Sequence, residues 1–223
     1  MFLKKTFMKK NLLKLMLIVA GIAIISSCGN NKPAEQNVPA APKKTIENLK
    51  AAIKGETTAS AKYAAYAEKA KEEGFMQIAV LFRATSKSEE IHAQNHTKVL
   101  TALGEKMDEI KPEFEVKSTK ENLDDAIKGE KYEVDSMYPD FIKVSTADTI
   151  PDATSSFYWA MNVEKKHAEL YQAAIDALAT KNIKILQNEY FVCPTCGNTF
   201  PVGKIDDICL VCATTKEKYI SIK

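Results

Sequence analysis

Arginine is nearly absent: of 31 basic residues, only Arg83 carries a guanidinium. A nucleic-acid partner calls for a basic face with arginine forks, and neither is present here. Nucleic acid is therefore set aside. Histidine is scarce, with three in 223 residues, and tryptophan occurs once. Glycine and proline number eight each, and few of them fall between residues 45 and 180. That middle stretch is rich in Ala, Lys, Glu and Leu, a helical composition. Long apolar runs are missing too, with one exception near the start.

The exception runs from Leu12 to Ile25, with Lys4, Lys5, Lys9, Lys10 and Lys14 before and inside it. It is too short, and its charge too one-sided, to span a bilayer comfortably. A basic start, a short apolar centre and small residues before a cut site describe a secretory signal over residues 1–27. Ile25-Ser26-Ser27-Cys28 resembles the lipobox of bacterial lipoproteins, whose cysteine is lipidated and becomes the new N-terminus. An uncleaved anchor and an ordinary signal peptide are the competing readings, and Met8 is an alternative start. All of them carry the remainder across the inner membrane. The expectation is an exported protein, lipid-anchored through Cys28 and facing the periplasm. Setting aside the five lysines of residues 1–27, which contain no acid, turns the formal charge from +2 to −3.

Residues 28–44 hold Pro33, Pro39 and Pro42 and almost no large apolar side chains, the composition of a flexible tether. From 45 to 182, apolar residues recur at helical spacing, as in Leu49, Ile53, Ala59, Tyr63 and Tyr66. Four helices are predicted, at about 45–73, 75–103, 119–144 and 152–180. Gly74 and Gly104 fall where C-terminal caps belong, and Pro139 should kink the third helix or end it early.

The middle region repeats itself. Glu47-Asn48-Leu49 and Ala52-Ile53-Lys54-Gly55-Glu56 recur 74 residues later as Glu121-Asn122-Leu123 and Ala126-Ile127-Lys128-Gly129-Glu130. Phe82, Glu89, His92 and Ala93 recur 75 residues later as Phe157, Glu164, His167 and Ala168. The repeating unit is a helix pair with a Glu on its first helix and Glu-x-x-His on its second. A Glu and a His three residues apart share a helix face and can point at one metal ion. A Glu from each of two helices plus Glu-x-x-His from the other two is the ligand inventory of di-iron carboxylate bundles. A single Glu-x-x-His is commonly a solvated helix face; two copies in a repeat, each with a Lys-Gly-Glu partner, are not. Gly55 and Gly129 each cost their helix about 1 kcal/mol relative to alanine, and close helix approach near the metals would be a reason for them. His96, one turn beyond His92, is expected to be a supporting or exposed residue. Glu133 can face the same site, although its counterpart in the first copy is Ala59.

Cys193-Pro194-Thr195-Cys196 and Cys209-Leu210-Val211-Cys212 form two CxxC knuckles twelve residues apart. They suit tetrahedral sulfur coordination of iron or zinc. Disulfides in an oxidising compartment are the competing reading. Tyr190, Phe191, Phe200 and Tyr219 can supply the small core that a domain of residues 188–223 needs beside its metal.

Together these motifs resemble rubrerythrin: a mainly α, ferritin-like four-helix bundle followed by a small rubredoxin-like β-ribbon metal domain. The resemblance implies a non-haem di-iron peroxidase of oxidative-stress defence that reduces hydrogen peroxide to water. A ferroxidase or iron-binding protein with a structural zinc is the alternative. It implies two iron ions held by Glu56, Glu89, His92, Glu130, Glu133, Glu164 and His167, with Tyr63 and Tyr138 hydrogen-bonded to the site. One further iron, or a zinc, would be held by Cys193, Cys196, Cys209 and Cys212. It also implies a head-to-tail homodimer that brings one subunit's cysteine site near the other's di-iron site. The second knuckle departs from the pattern: the family usually has proline where Leu210 stands and glycine where Ala213 stands, the latter in a left-handed conformation that costs alanine about 1 kcal/mol. Export departs too. Outside the cytoplasm there is no pool of nicotinamide donors, so the electron donor is unknown.

Overall fold

The computed structural model describes residues 43–223. The expected signal, Cys28 and nearly all of the tether lie outside the described residues. Helix α1 spans Lys43–Glu72, α2 Met76–Ala102, α3 Thr119–Tyr132, α4 Tyr138–Ala147 and α5 Pro151–Ala179. A π-helical turn, Glu133–Met137, joins α3 to α4, so the two act as one long third helix. Gly74 (φ 84°) and Gly104 (φ 81°) end α1 and α2 in left-handed conformation, as their positions predict. Helix α3 opens with a capping box, Ser118 with Glu121.

Pro139 does not end the third helix. The π turn lets Tyr138 donate its backbone N–H to the carbonyl of Glu133, five residues back, and helix resumes to Ala147. The repeat shows why an extra residue is there. Its offset is 74 up to Glu130 and 75 from Tyr138, the counterpart of Tyr63, and the π turn absorbs that one-residue step.

Each helix turns a three-and-four-spaced apolar face inward. One core layer gathers Leu49, Ile53, Leu100, Tyr138 and Phe157, and another gathers Tyr63, Ile78, Leu81, Phe82, Leu123 and Tyr171. The buried carboxylates of Glu56 and Glu130 follow the first layer on α1 and the second on α3. At the C-terminus β1 (Tyr190–Val192), β2 (Thr199–Pro201) and β3 (Ile220–Ile222) form an antiparallel sheet in the order β2-β1-β3. The cysteine knuckles flank this sheet. Val163 of α5 packs in one cluster with Cys193, Cys196, Phe200 and Cys209, which seats the small domain on the bundle.

The two mid-helix glycines are not explained by close packing. A Cβ on Gly55 would meet nothing within 4 Å, and one on Gly129 only the Tyr63 hydroxyl at 3.8 Å. Gly55 faces open space, and Gly129 meets α1 only at ordinary van der Waals distance. Gly55→Ala should therefore raise stability by about 0.5–1 kcal/mol, which chemical denaturation of the loaded protein would measure.

Candidate metal centres

Glu56, Glu89, His92, Glu130, Glu164 and His167 all come together in the bundle, each at most 1% exposed. They form two groups in which one donor atom per residue lies within 4.8 Å of the others. One group is Glu56, Glu89, His92 and Glu164; the other is Glu89, Glu130, Glu164 and His167. Glu89 and Glu164 belong to both, so each group has one carboxylate and one imidazole of its own and shares two carboxylates.

The donor atoms converge on a common space. Nδ1 of His92 stands 2.7 Å from Glu164 and 2.9 Å from Glu89, and Nδ1 of His167 stands 2.7 Å from Glu164 and 3.1 Å from Glu89. Yet both nitrogens, both oxygens of Glu89 and of Glu164, and one oxygen each of Glu56 and Glu130 are buried without a hydrogen-bond partner. Buried polar atoms are ordinarily paired. Unpaired ones aimed at a common space fit a pair of cations, and carboxylate with imidazole fits iron.

The outward-facing groups hold these ligands in place. Tyr63 donates to Glu130 at 2.7 Å, and Tyr138 donates to Glu56. Each tyrosine thus serves the glutamate of the other repeat copy. Nε2 of His92 donates to the carbonyl of Cys196 at 3.0 Å. Nε2 of His167 meets the Thr199 hydroxyl at 3.1 Å, and that hydroxyl donates in turn to the Gly197 carbonyl. Both rings therefore present Nδ1 to the centre and Nε2 to the cysteine domain. Ser88 and Asn95 clamp the same knuckle through the carbonyls of Gly197 and Thr195, at 2.7 Å each. A Cβ on Gly197 would fall 2.5 Å from the Ser88 hydroxyl and 2.6 Å from Nε2 of His92. Glycine is required there both by φ (81°) and by this approach. The approach that the resemblance places between two subunits is made here within one chain.

Glu133 is the expected ligand that neither group includes. It is half-buried in the π turn, and burial, then Glu56 and Glu130, push its carboxyl well above the usual range. His96 is wholly buried and bonded to both Tyr138 and Ser156. Sequence reasoning left it between supporting and exposed and missed Ser156, Ser88, Asn95 and Thr199. These are single hydroxyls and amides that no spacing marks.

At the C-terminus all four domain cysteines are free thiols. Sγ of Cys193 lies 3.5 Å from that of Cys212, and Sγ of Cys196 lies 3.5 Å from that of Cys209. A tetrahedron of about 2.3 Å metal–sulfur bonds has edges slightly longer than this, so the four fit one ion with little movement. Cys193 and Cys196 turn toward Cys209 and lower its thiol pKa, and Asn198 adds a donor at 3.6 Å. Ala213 adopts φ 61°, the left-handed conformation anticipated for that position.

A four-helix bundle enclosing paired carboxylate–imidazole groups, with a four-cysteine β module on its flank, defines a ferritin-like di-iron protein fused to a rubredoxin-like domain. The rubrerythrin family model matches residues 47–175. Nigerythrin of Nitratidesulfovibrio vulgaris is 35% identical over 183 residues, which cover 78% of this chain and 85% of that protein. Rubrerythrin-2 of Clostridium acetobutylicum is 33% identical over 176 residues, 78% of this chain and 95% of that one. The structure of nigerythrin in a mixed-valence state superposes with a TM-score of 0.72 at 33% identity, covering 92% of this chain and all of that one. The chain belongs to the rubrerythrin family. It is an iron oxidoreductase with two iron ions in the bundle and one iron or zinc at the cysteines.

The charges of the centre make its metal affinity depend on pH. Burial, then Glu164 and Glu89, push Glu56 up, and burial, then Glu89 and Glu164, bring Glu130 to about 8. Burial works against the charged rings, but Glu164 above His92 and Glu89 above His167 outweigh it and raise both. The metal-free native state thus holds more protons than the unfolded chain across roughly pH 5 to 8, and its stability falls as pH rises through that window. Glu164 is shifted downward, so its contribution changes only on the acid side. Metal displaces these protons and binds more tightly as pH rises. The thermal shift between iron-loaded and metal-free protein should grow from about pH 6 to about pH 8, as differential scanning calorimetry would record.

Proposed function

We propose that this protein is a non-haem peroxidase of oxidative-stress defence, reducing hydrogen peroxide to water with electrons drawn through its four-cysteine centre. The observation that carries the reading is the 3.0 Å hydrogen bond from His92 to the carbonyl of Cys196. One residue belongs to the di-iron donor set and the other to the sulfur donor set, so a short, mostly covalent path links them. Iron storage or ferroxidase activity with a zinc staple would use the bundle but has no need of that contact.

In this reading the two ions would be held by Glu89 and Glu164, which belong to both groups, with Glu56 and His92 on one side and Glu130 and His167 on the other, and Glu133 would be a further ligand. When bound, the iron pair supplies the two electrons of peroxide reduction, and the cysteine-held iron returns them singly. Tyr63 and Tyr138 keep the terminal carboxylates oriented. Burial holds both phenols protonated, reinforced by Glu130 and by Glu56 respectively. The apolar layers on either side exclude bulk water, which strengthens each charge interaction within.

The reading is tested by following the ferric–thiolate absorption of iron-loaded, anaerobically reduced protein after mixing with peroxide or with oxygen. Fast recolouring by peroxide, slow recolouring by oxygen and loss of both in Glu89→Ala are expected. Gly197→Ala, which forces the knuckle off His92, should slow recolouring by about tenfold or more. No peroxide-dependent recolouring in protein shown to hold all three irons would leave iron handling as the better account.

The reading also includes a homodimer, on the ground of family resemblance, and an electron donor outside the chain that the site does not specify. It further includes export with a lipid on Cys28, on the ground of the signal and lipobox pattern. Among the described residues no helix is long and apolar enough to cross a membrane. Intact-mass analysis of membrane-extracted protein should show loss of residues 1–27 and a thioether-linked diacylglycerol on Cys28. Cys28→Ala should leave the unprocessed chain.

A further inference from the structure

Peroxide reduction consumes protons as well as electrons: the O–O bond breaks as H2O2, two protons and two electrons become two waters. The six donor residues are at most 1% exposed, so the protons need a route. We propose that Ser156, His96 and Tyr138 form a proton relay that leads from a surface cleft to Glu56. The inference rests on the peroxidase reading for its purpose, but its geometry stands apart from that reading.

The chain of contacts is continuous. The cleft, about 270 Å³ between α2 and α5, is lined by Lys98, Asp152, Ser155, Ser156 and Trp159 among others. The Ser156 hydroxyl lies 2.8 Å from Nδ1 of His96, Nε2 of His96 lies 3.1 Å from the Tyr138 hydroxyl, and that hydroxyl donates to Glu56. The last bond fixes the direction of the others. Tyr138 gives its proton to Glu56, so its oxygen accepts from Nε2–H of His96, which leaves Nδ1 to accept from Ser156. All three donors point inward. Burial, reinforced by His92, holds the His96 ring at about 3 and therefore neutral, with one nitrogen open to accept.

The other half of the molecule supplies the control. Tyr63 donates to Glu130 as Tyr138 does to Glu56. However, the residue 75 positions after His96 is Tyr171. Its hydroxyl pairs with Thr85 at 2.6 Å, and Thr85 bonds back to the Leu81 and Phe82 carbonyls of its own helix at 3.3 and 3.1 Å. Tyr63 and Tyr171 meet edge to face, with centroids 5.6 Å apart, and among the described residues no hydrogen bond joins them. That side closes on itself, whereas the His96 side reaches the surface.

The transfer balances. As Tyr138 passes a proton inward it takes one from Nε2 of His96, the ring takes one at Nδ1 from Ser156, and Ser156 takes one from water in the cleft. One proton enters, one is delivered at Glu56, and each relay member ends neutral. One transfer leaves the ring in its Nδ1–H form, so the next waits on reorientation of the imidazole and both hydroxyls and exchange of its N–H with cleft water.

The test uses full-length protein with Ser156→Ala, and with Ser156→Thr to restore the hydroxyl. In zinc-loaded protein carrying ¹⁵N-histidine, NMR should find His96 in the Nε2–H tautomer. Its N–H exchange with solvent should slow by about tenfold or more in Ser156→Ala and recover in Ser156→Thr. In iron-loaded protein the same pair should slow and restore the peroxide-driven step, with a larger solvent deuterium isotope effect in Ser156→Ala. Exchange that is unchanged or faster in Ser156→Ala overturns the relay, since a merely structural hydrogen bond predicts that result. Wild-type protein indifferent to peroxide would defeat the peroxidase reading alone, because the exchange experiment still decides the relay.

Discussion

Four carboxylates and two imidazoles, falling into two overlapping groups of three carboxylates and one imidazole whose donor atoms lie within 4.8 Å, and cut off from water, are what the rest of this structure answers to. Like charges at that spacing repel, and each has lost its hydration, so the arrangement is costly until cations occupy it. Within the cluster only the two imidazoles, which the carboxylates push toward their charged form, offset part of the cost. Among the described residues no lysine or arginine is paired with the cluster, and the tyrosine hydroxyls pair with only one oxygen of each terminal glutamate. The bundle therefore has to be rigid for reasons unrelated to the site. Apolar layers above and below, and helix hairpins closed by Gly74 and by the turn at Thr149 (φ 56°), provide that rigidity. The C-terminal domain contributes as well, since the outer nitrogens of both histidines find their partners in it.

Much of this was legible in the sequence because the constraint is chemical and repeats. Carboxylates and histidines that recur after 74 and 75 residues place four helices and six donors without any knowledge of packing. The cysteine spacing likewise gives the second centre. Other features depend on contacts between segments far apart in the chain. Gly197 reads as ordinary knuckle glycine, and only its nearness to His92 shows that it sets the distance between the centres. Ser156 and Thr199 are unremarkable hydroxyls until a histidine nitrogen is found against each. The π turn was written in the repeat, as the step from 74 to 75. Proline at 139 is the louder signal and points to a kink or a stop. A backbone that takes up one extra residue meets the same requirement while keeping Tyr138 on the buried face.

The pseudo-twofold symmetry of the donors is broken around them, and two of the breaks fall on the same side. His92 is bonded to the carbonyl of a cysteine in the sulfur donor set, whereas His167 is bonded to the hydroxyl of Thr199. Glu56 is joined through Tyr138 and His96 to a hydroxyl lining a surface cleft, whereas Glu130 is joined to Tyr63 and no further. Glu56 and His92 belong to one group, so the proposed paths for electrons and protons converge on the same half of the site. There is a physical reason for them to do so. An electron added alone to a dry, acidic cluster raises its negative charge where the effective dielectric is low, and the energy of that charge is large. A proton arriving at the same half cancels it locally, while one arriving at the far half would leave the two charges separated. Two inlets at opposite ends would make each transfer wait on the other; two inlets at one end let the charges arrive as a neutral pair.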